Sequence, residues 1–235
     1  MKRFYREAAA VRGLDGWHVA LDGREVKTQG GRVLVLPNEA TARLLAAEWD
    51  AQGREIDPRG FAMRDLADYA LDVVAGDKAA AVAALLRYAE TDTLCYRADA
   101  DEPLWKRQQA VWEPLLEECE AREGIALERV SGVMPRAQDD AALRKLRGRL
   151  EGLDYFTLAA LTTLAALACS LVIGLAALEP EADGEALWNA ANLEEHWQAE
   201  RWGRDAEAEE RREKRKGDFL AAMAFARMVR VKIGR

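Results

Sequence analysis

From Tyr155 to Leu178 the chain runs for 24 residues without a charge, "YFTLAALTTLAALACSLVIGLAAL". No other feature restricts its fold so tightly. The stretch is long enough to cross a bilayer as a helix. Its flanks argue against that: Glu151, Asp154, Glu179 and Glu181 are acidic, and no Lys or Arg sits close by to anchor an interface. Seven of the 24 residues are alanine and three are threonine, which suits close helix packing better than contact with lipid. Leu158, Leu161, Leu164, Leu167, Leu171, Leu175 and Leu178 recur every three or four positions. The pattern predicts one helix over 154–178, buried at the centre of a soluble bundle. A helix that is apolar all round needs neighbours on every side, so several other helices are expected.

The remainder of the chain supplies them. Asn38 is placed to cap a helix ending near Gln52, with Gly53 as its terminator and Ala42, Leu45 and Trp49 on one face. Further helices are predicted over 64–74, 77–89, 103–123 (interrupted at Pro114), 139–150, 183–202 and 205–231. The first forty residues differ. "GWHVALDGREVKT" alternates apolar and polar residues on either side of an Asp22-Gly23 turn. "GGRVLVLP" predicts a further strand, and 4–11 an additional one. The expected fold is α+β: a small strand-rich domain with one helix over 1–60, followed by a larger helical bundle over 61–235.

Composition narrows the function. A formal net charge of -7 disfavours a general nucleic-acid binder, whose phosphate contacts need a basic surface. Cys95, Cys119 and Cys169 are odd in number and widely spaced, which favours a reducing compartment. The basic start lacks the apolar run of a secretory signal, so a bacterial cytosolic protein, or an already mature form, is expected. There is no GxxxxGK[ST] or GxGxxG loop. Ser131 and Ser170 are the only serines, and nothing resembles a nucleophile elbow. His196 and Glu200 lie at i, i+4 and could share a metal, but a third ligand at motif spacing is missing. No cofactor is expected. The rival class is a metal-assisted hydrolase with a site around Glu195, His196 and Glu200.

"NLEEHWQAERWG", residues 192–203, is the most unusual stretch. At about 100° per residue, Ala186, Ala190, Leu193 and Trp197 fall on one line of the helix, a core stripe. Ala191, Glu195, Gln198 and Trp202 fall on another. Carboxylate, amide and indole together are too polar for a core and too aromatic for an ordinary wet surface. Two readings stay open: a protein interface, or a helix buried on two sides with Glu195 satisfied internally. Downstream, "EAEERREKRKGD" reads as a solvated helix face with i, i+4 pairs such as Glu207–Arg211.

Eight segments, in order and at sensible spacing, resemble the ATP synthase F1 complex assembly factor 2 family. They are "RFY" (3–5), "VALDGREVKT" (19–28), "LP" (36–37), "AAEWDAQ" (46–52), "TDTLCYRA" (91–98), "QAVWEPLL" (109–116), "CSLVIGLAAL" (169–178) and "LEEHWQAERWGRDAEAEERR" (193–212). The resemblance implies a strand-rich N-terminal domain, a larger helical C-terminal domain and a non-catalytic role. It implies binding of the free F1-ATPase alpha subunit until the alpha-beta ring forms, by a monomer without nucleotide hydrolysis, in the mitochondrial matrix for eukaryotic relatives. The family's important acidic residue falls by motif position on Glu195, with Glu194 beside it. Glu194, Glu195, Gln198, Trp202 and Glu207 are the expected client-binding residues, and the face from Glu207 to Arg215 is expected to steer encounter. Trp49, Gln52, Trp112, Trp197 and Gly203 are expected to be structural. The chain departs from the family pattern at Gln29, where proline is usual, at Ala62–Asp65, and at Glu194, where aspartate is common.

Overall fold

The computed structural model describes residues 1–131, 136–203 and 205–231. The fold is α+β, with three strands near the N-terminus followed by helices, as the sequence predicts. By contacts the chain divides into two compact units. The first comprises Met1–Lys78, Asp154–Ala160 and the end of the chain from Ala221; the second comprises Ala79–Leu153 and Leu161–Leu220. This grouping differs from a division at residue 60, because residues 61–78 join the N-terminal strands. Among the described residues no helix is long and apolar enough to cross a membrane.

In the first unit, β1 (Ala8–Arg12), β2 (Trp17–Leu21) and β3 (Arg24–Glu25) form an antiparallel meander in that order. Asp22 and Gly23 make the two-residue turn, with φ of 48° and 80°. Both values are positive, as a turn matched to strand twist requires. The Asp22 carboxylate also accepts the N–H groups of Arg6 and Glu7. The strand expected in "GGRVLVLP" is reduced to isolated bridges, Trp17 with Leu36 and Lys27 with Val33. Val35 donates its N–H to the Val33 carbonyl at 3.1 Å, a local turn that breaks any longer ladder. Helix α1 (Glu39–Asp50) packs on β1 and β2. Asn38 caps it through Oδ1 to the Thr41 N–H at 2.8 Å, and its Nδ2 donates to the Met228 carbonyl at 2.8 Å. Helix α2 (Ala62–Tyr69) continues through one wider turn, Ala70–Val74. Its carboxylates hold the 28–30 turn: the Gln29 N–H donates to Asp68, and the Gly30 N–H and Thr28 hydroxyl donate to Asp72. At Gln29, a departure from the resembling family's proline, the extra N–H thus has an acceptor.

The second unit contains α3 (Lys78–Glu90) from Ala79, α4 (Pro103–Glu123), α5 (Asp140–Glu151), the later part of α6 (Tyr155–Ala168), α7 (Leu171–Ala177), α8 (Gly184–Ala191), α9 (Leu193–Trp202) and α10 (Ala206–Val229) as far as Leu220. A short parallel pair, β4 (Tyr96–Arg97) and β5 (Val130–Ser131), joins them. Trp112, Leu116, Leu150, Leu161, Leu164, Ile173, Trp188 and Phe219 are among its buried side chains. Each fully buried large apolar side chain contributes about 1.5–3 kcal/mol.

Three helix expectations need correction. The 154–178 stretch is two helices, because Cys169 adopts a left-handed φ of 50° and Ser170 caps α7 through Oγ to the Ile173 N–H at 3.0 Å. Asp92 accepts the Val172 N–H at 3.0 Å from a remote part of the chain and reinforces that start. Helix α4 runs unbroken through Pro114. Pro114 and Ala110 are both exposed, so the carbonyl that proline leaves free faces water. The 183–202 helix breaks at Asn192, whose Nδ2 donates back to the Trp188 carbonyl at 2.8 Å. The two lines drawn from Ala186 to Trp202 are therefore not continuous, although the order within α9 stands.

Candidate functional site

Helices α8 and α9 both lie against α10 inside the second unit: Lys216 meets Glu185, Phe219 meets Trp188, and Arg212 meets Glu195. Gly203, with φ of +94°, ends α9 by donating its N–H to the Ala199 carbonyl. Asp205 then caps α10 through Oδ1 to the Glu207 N–H at 3.1 Å. The result is an open cleft of about 430 Å³, with Glu195, Gln198 and Trp202 on one wall and Glu209, Arg211, Arg212 and Arg215 on the other.

Structure and sequence agree that Glu195, Gln198 and Trp202 share a face, and all three are exposed. Trp202 is 78% exposed, far more than the other tryptophan of α9, Trp197. Glu195 lies 3.5 Å from the Arg212 Nε yet keeps 53% of its side chain in solvent. Arg212 also pairs with Glu209 at 3.0 Å. Glu207 is exposed and pairs with Arg211 at 3.6 Å, outside the cleft wall. Glu194 is different: its Oε1 accepts a 2.7 Å bond from Nε2 of Gln108, a residue with no exposed surface.

The other wall of α9 faces α4. The Arg107 guanidinium grips both oxygens of Glu200, at 2.7 and 3.0 Å. Trp197 is stacked by two cations, with Arg201 at 4.4 Å and Arg107 at 5.7 Å from its ring centre. His196 is half-buried, and burial together with the Arg212 charge lowers its pKa, which disfavours the charged imidazolium. Among the described residues, no group of three or more His, Cys, Asp or Glu side chains is placed to hold a metal ion. Glu200 is already committed to Arg107, so Glu195, His196 and Glu200 do not converge on a ligand position.

The remaining residues sit apart from this cleft. Trp49 is buried between Tyr5 and Phe61, with ring centres at 5.5 and 4.5 Å. Gln52 accepts the Asp57 N–H at 2.7 Å and ties the end of α1 to the following loop. Trp112 is fully buried and its Nε1 donates to the Ala190 carbonyl at 2.8 Å. Sequence reasoning missed Arg107 and Gln108, which reach α9 from α4, and placed Glu209 and Arg212 only on a charged face, without the contact of Arg212 with Glu195. Gln108 carried a usable signal, since it lies on the same face of α4 as Trp112, four residues on.

Comparison with known proteins places these features in context. The family model described as ATP12 chaperone protein matches residues 2–120. Protein atp12, mitochondrial, of Schizosaccharomyces pombe is 25% identical over 221 residues, spanning 89% of this chain and 76% of that protein. The crystal structure of Atp12 from Paracoccus denitrificans is 37% identical and covers 97% of this chain and 98% of that one, with a TM-score of 0.92. A structure of an aspartate-to-lysine mutant of the same organism's Atp12p gives a TM-score of 0.91, also at 37% identity.

Proposed function

We propose, since this chain belongs to the ATP12 chaperone protein family, that its client is the free alpha subunit of F1-ATPase. It holds that subunit against aggregation until the alpha-beta ring forms, and does so without catalysis, cofactor or nucleotide hydrolysis. The single observation that carries the reading is the open cleft between α9 and α10, with an indole 78% exposed beside the Glu195 carboxylate and the Gln198 amide.

An unassembled subunit exposes apolar surface that belongs against its neighbours, and such surface drives aggregation. A chaperone without an energy source has to cover that surface and still yield it. Trp202 supplies the large rigid contact typical of an interface hot spot. Glu195 supplies charge that is only loosely spent: its carboxylate stays half in solvent at 3.5 Å from Arg212, which is itself largely buried and has Glu209 as a closer partner. A client cation can approach Glu195 from its solvent side while Arg212 keeps Glu209, and the true neighbouring subunit can later take the client's surface back. The charged face from Glu207 to Arg215 steers encounter. The protein acts as a monomer in an aqueous compartment, the cytosol in a bacterium.

The test is co-purification with unassembled alpha subunit. Glu195→Lys is expected to abolish capture while its circular dichroism and melting stay those of the parent. A folded Glu195→Lys protein that still suppresses alpha-subunit aggregation fully would overturn the assignment.

A further inference from the structure

Helix α9 has ten residues and only one of them, Leu193, is buried. Such a helix has little apolar surface with which to hold its orientation. Its polar links to α4 therefore stand out. Two consecutive α4 residues reach it: Gln108 donates to Glu194 at 2.7 Å, and Arg107 grips Glu200 at 2.7 and 3.0 Å. The two anchor points lie about 9 Å apart along the axis of α9 and bracket Glu195 and Gln198.

Gln108 has no freedom to do otherwise. Its Oε1 accepts the Ala98 N–H at 2.8 Å, which fixes which end of the amide is oxygen and leaves Nε2 as the donor toward α9. Its own backbone carbonyl accepts from Arg97 at 3.0 Å, and Arg97 in turn pairs with Glu113 at 2.9 Å. The donor that meets Glu194 thus belongs to a buried network anchored in α4. A buried amide donor without an acceptor is costly, so Glu194 answers a requirement inside the protein.

We propose that Glu194 is a positioning residue and not a client contact: with Gln108, and with the Arg107–Glu200 pair, it sets the rotation of α9 that presents Glu195, Gln198 and Trp202 to the client. This rests on the cleft being the client-binding surface.

A swapped pair tests it, with two readouts: affinity for the F1 alpha subunit, and hydrogen exchange of the α9 amides. Gln108→Glu sets two carboxylates against each other. It should weaken client binding by roughly tenfold and speed α9 exchange. Adding Glu194→Gln restores a donor–acceptor pair in the reverse sense and should bring both readouts back to within about twofold of the parent. Glu194→Gln alone keeps an acceptor oxygen and should bind normally. The more exposed swap, Arg107→Glu with Glu200→Arg, repeats the logic if Gln108→Glu does not fold. Loss of client binding in Glu194→Gln with α9 exchange unchanged would overturn the proposal, as would failure of both double variants to recover. Glu195→Lys, run alongside, separates the two claims. Full binding by that variant sinks the client-binding reading, whereas the exchange data still decide whether Glu194 positions α9.

Discussion

Thr93 holds the carbonyl oxygen of Cys169 twice, through its N–H at 3.3 Å and its hydroxyl at 2.8 Å. The bond pins the one residue between α6 and α7 that adopts a left-handed backbone, and so converts an apolar stretch long enough to span a membrane into two packed helices. Left-handed conformation costs an ordinary residue about 1–2 kcal/mol, and glycine escapes that cost while losing some entropy on folding. Cys169→Gly is therefore expected to stabilise the protein by about 0.5–1 kcal/mol. Thr93→Val, which deletes only the hydroxyl bond, should destabilise it by about 1 kcal/mol. Urea denaturation midpoints report both.

The contact between α6 and α7 makes a second prediction, with an internal control. A Cβ on Gly174 would stand 2.9 Å from Leu161 Cδ1 and 3.3 Å from the Ala165 backbone nitrogen. Gly217, within α10, has nothing within 4 Å of such an atom. Gly217→Ala should raise stability by about 1 kcal/mol through helix propensity. Gly174→Ala should lower it by about 1–3 kcal/mol through overpacking. Equal effects of the two changes on the thermal midpoint would refute this account of the packing.

Glu48 gives a pH dependence. It accepts the N–H groups of Met63 and Arg64 at 2.7 and 2.9 Å, standing in for the side-chain cap that α2 lacks. Burial nevertheless raises its pKa from 4.5 to about 7, outweighing those bonds. The folded protein therefore takes up this proton before the unfolded chain does. Stability rises as pH falls from about 7 toward 4.5 and is flat in this term outside that window. Unfolding free energies of parent and Glu48→Gln, compared from pH 8 to pH 5, should show the parent gaining on the variant as the pH drops. A constant difference across the range would contradict it.

What the sequence made legible, and what it hid, follows from the reach of each interaction. The Asp22-Gly23 turn and the Asn38 cap of α1 join residues within three positions of one another, so both could be read directly, whereas the bonds from Asp22 to the Arg6 and Glu7 N–H groups and from Asn38 to Met228 could not. Glu195, Gln198 and Trp202 lie within one helix, and their common face follows from its period. The break at Cys169–Ser170 is reinforced by Thr93 and Asp92, 76 and 80 positions away from the groups they hold. Glu194 meets Gln108 across 86 positions. Two neighbouring glutamates that read alike in sequence are thereby sent in different directions, one into α4 and one into the cleft. Pro114 misled for a different reason: its cost depends on whether the orphaned carbonyl meets water, and periodicity alone did not settle that.

The most direct measurement is the dissociation constant for F1 alpha subunit of the parent protein and of Trp202→Ala. An exposed indole contributes little to folding, so the melting temperature should stay within about 2 °C of the parent. Binding should weaken by roughly thirtyfold, the loss of an interface hot spot worth about 2 kcal/mol. An unchanged dissociation constant in a normally folded Trp202→Ala protein would contradict the claim that the cleft between α9 and α10 is where the client docks.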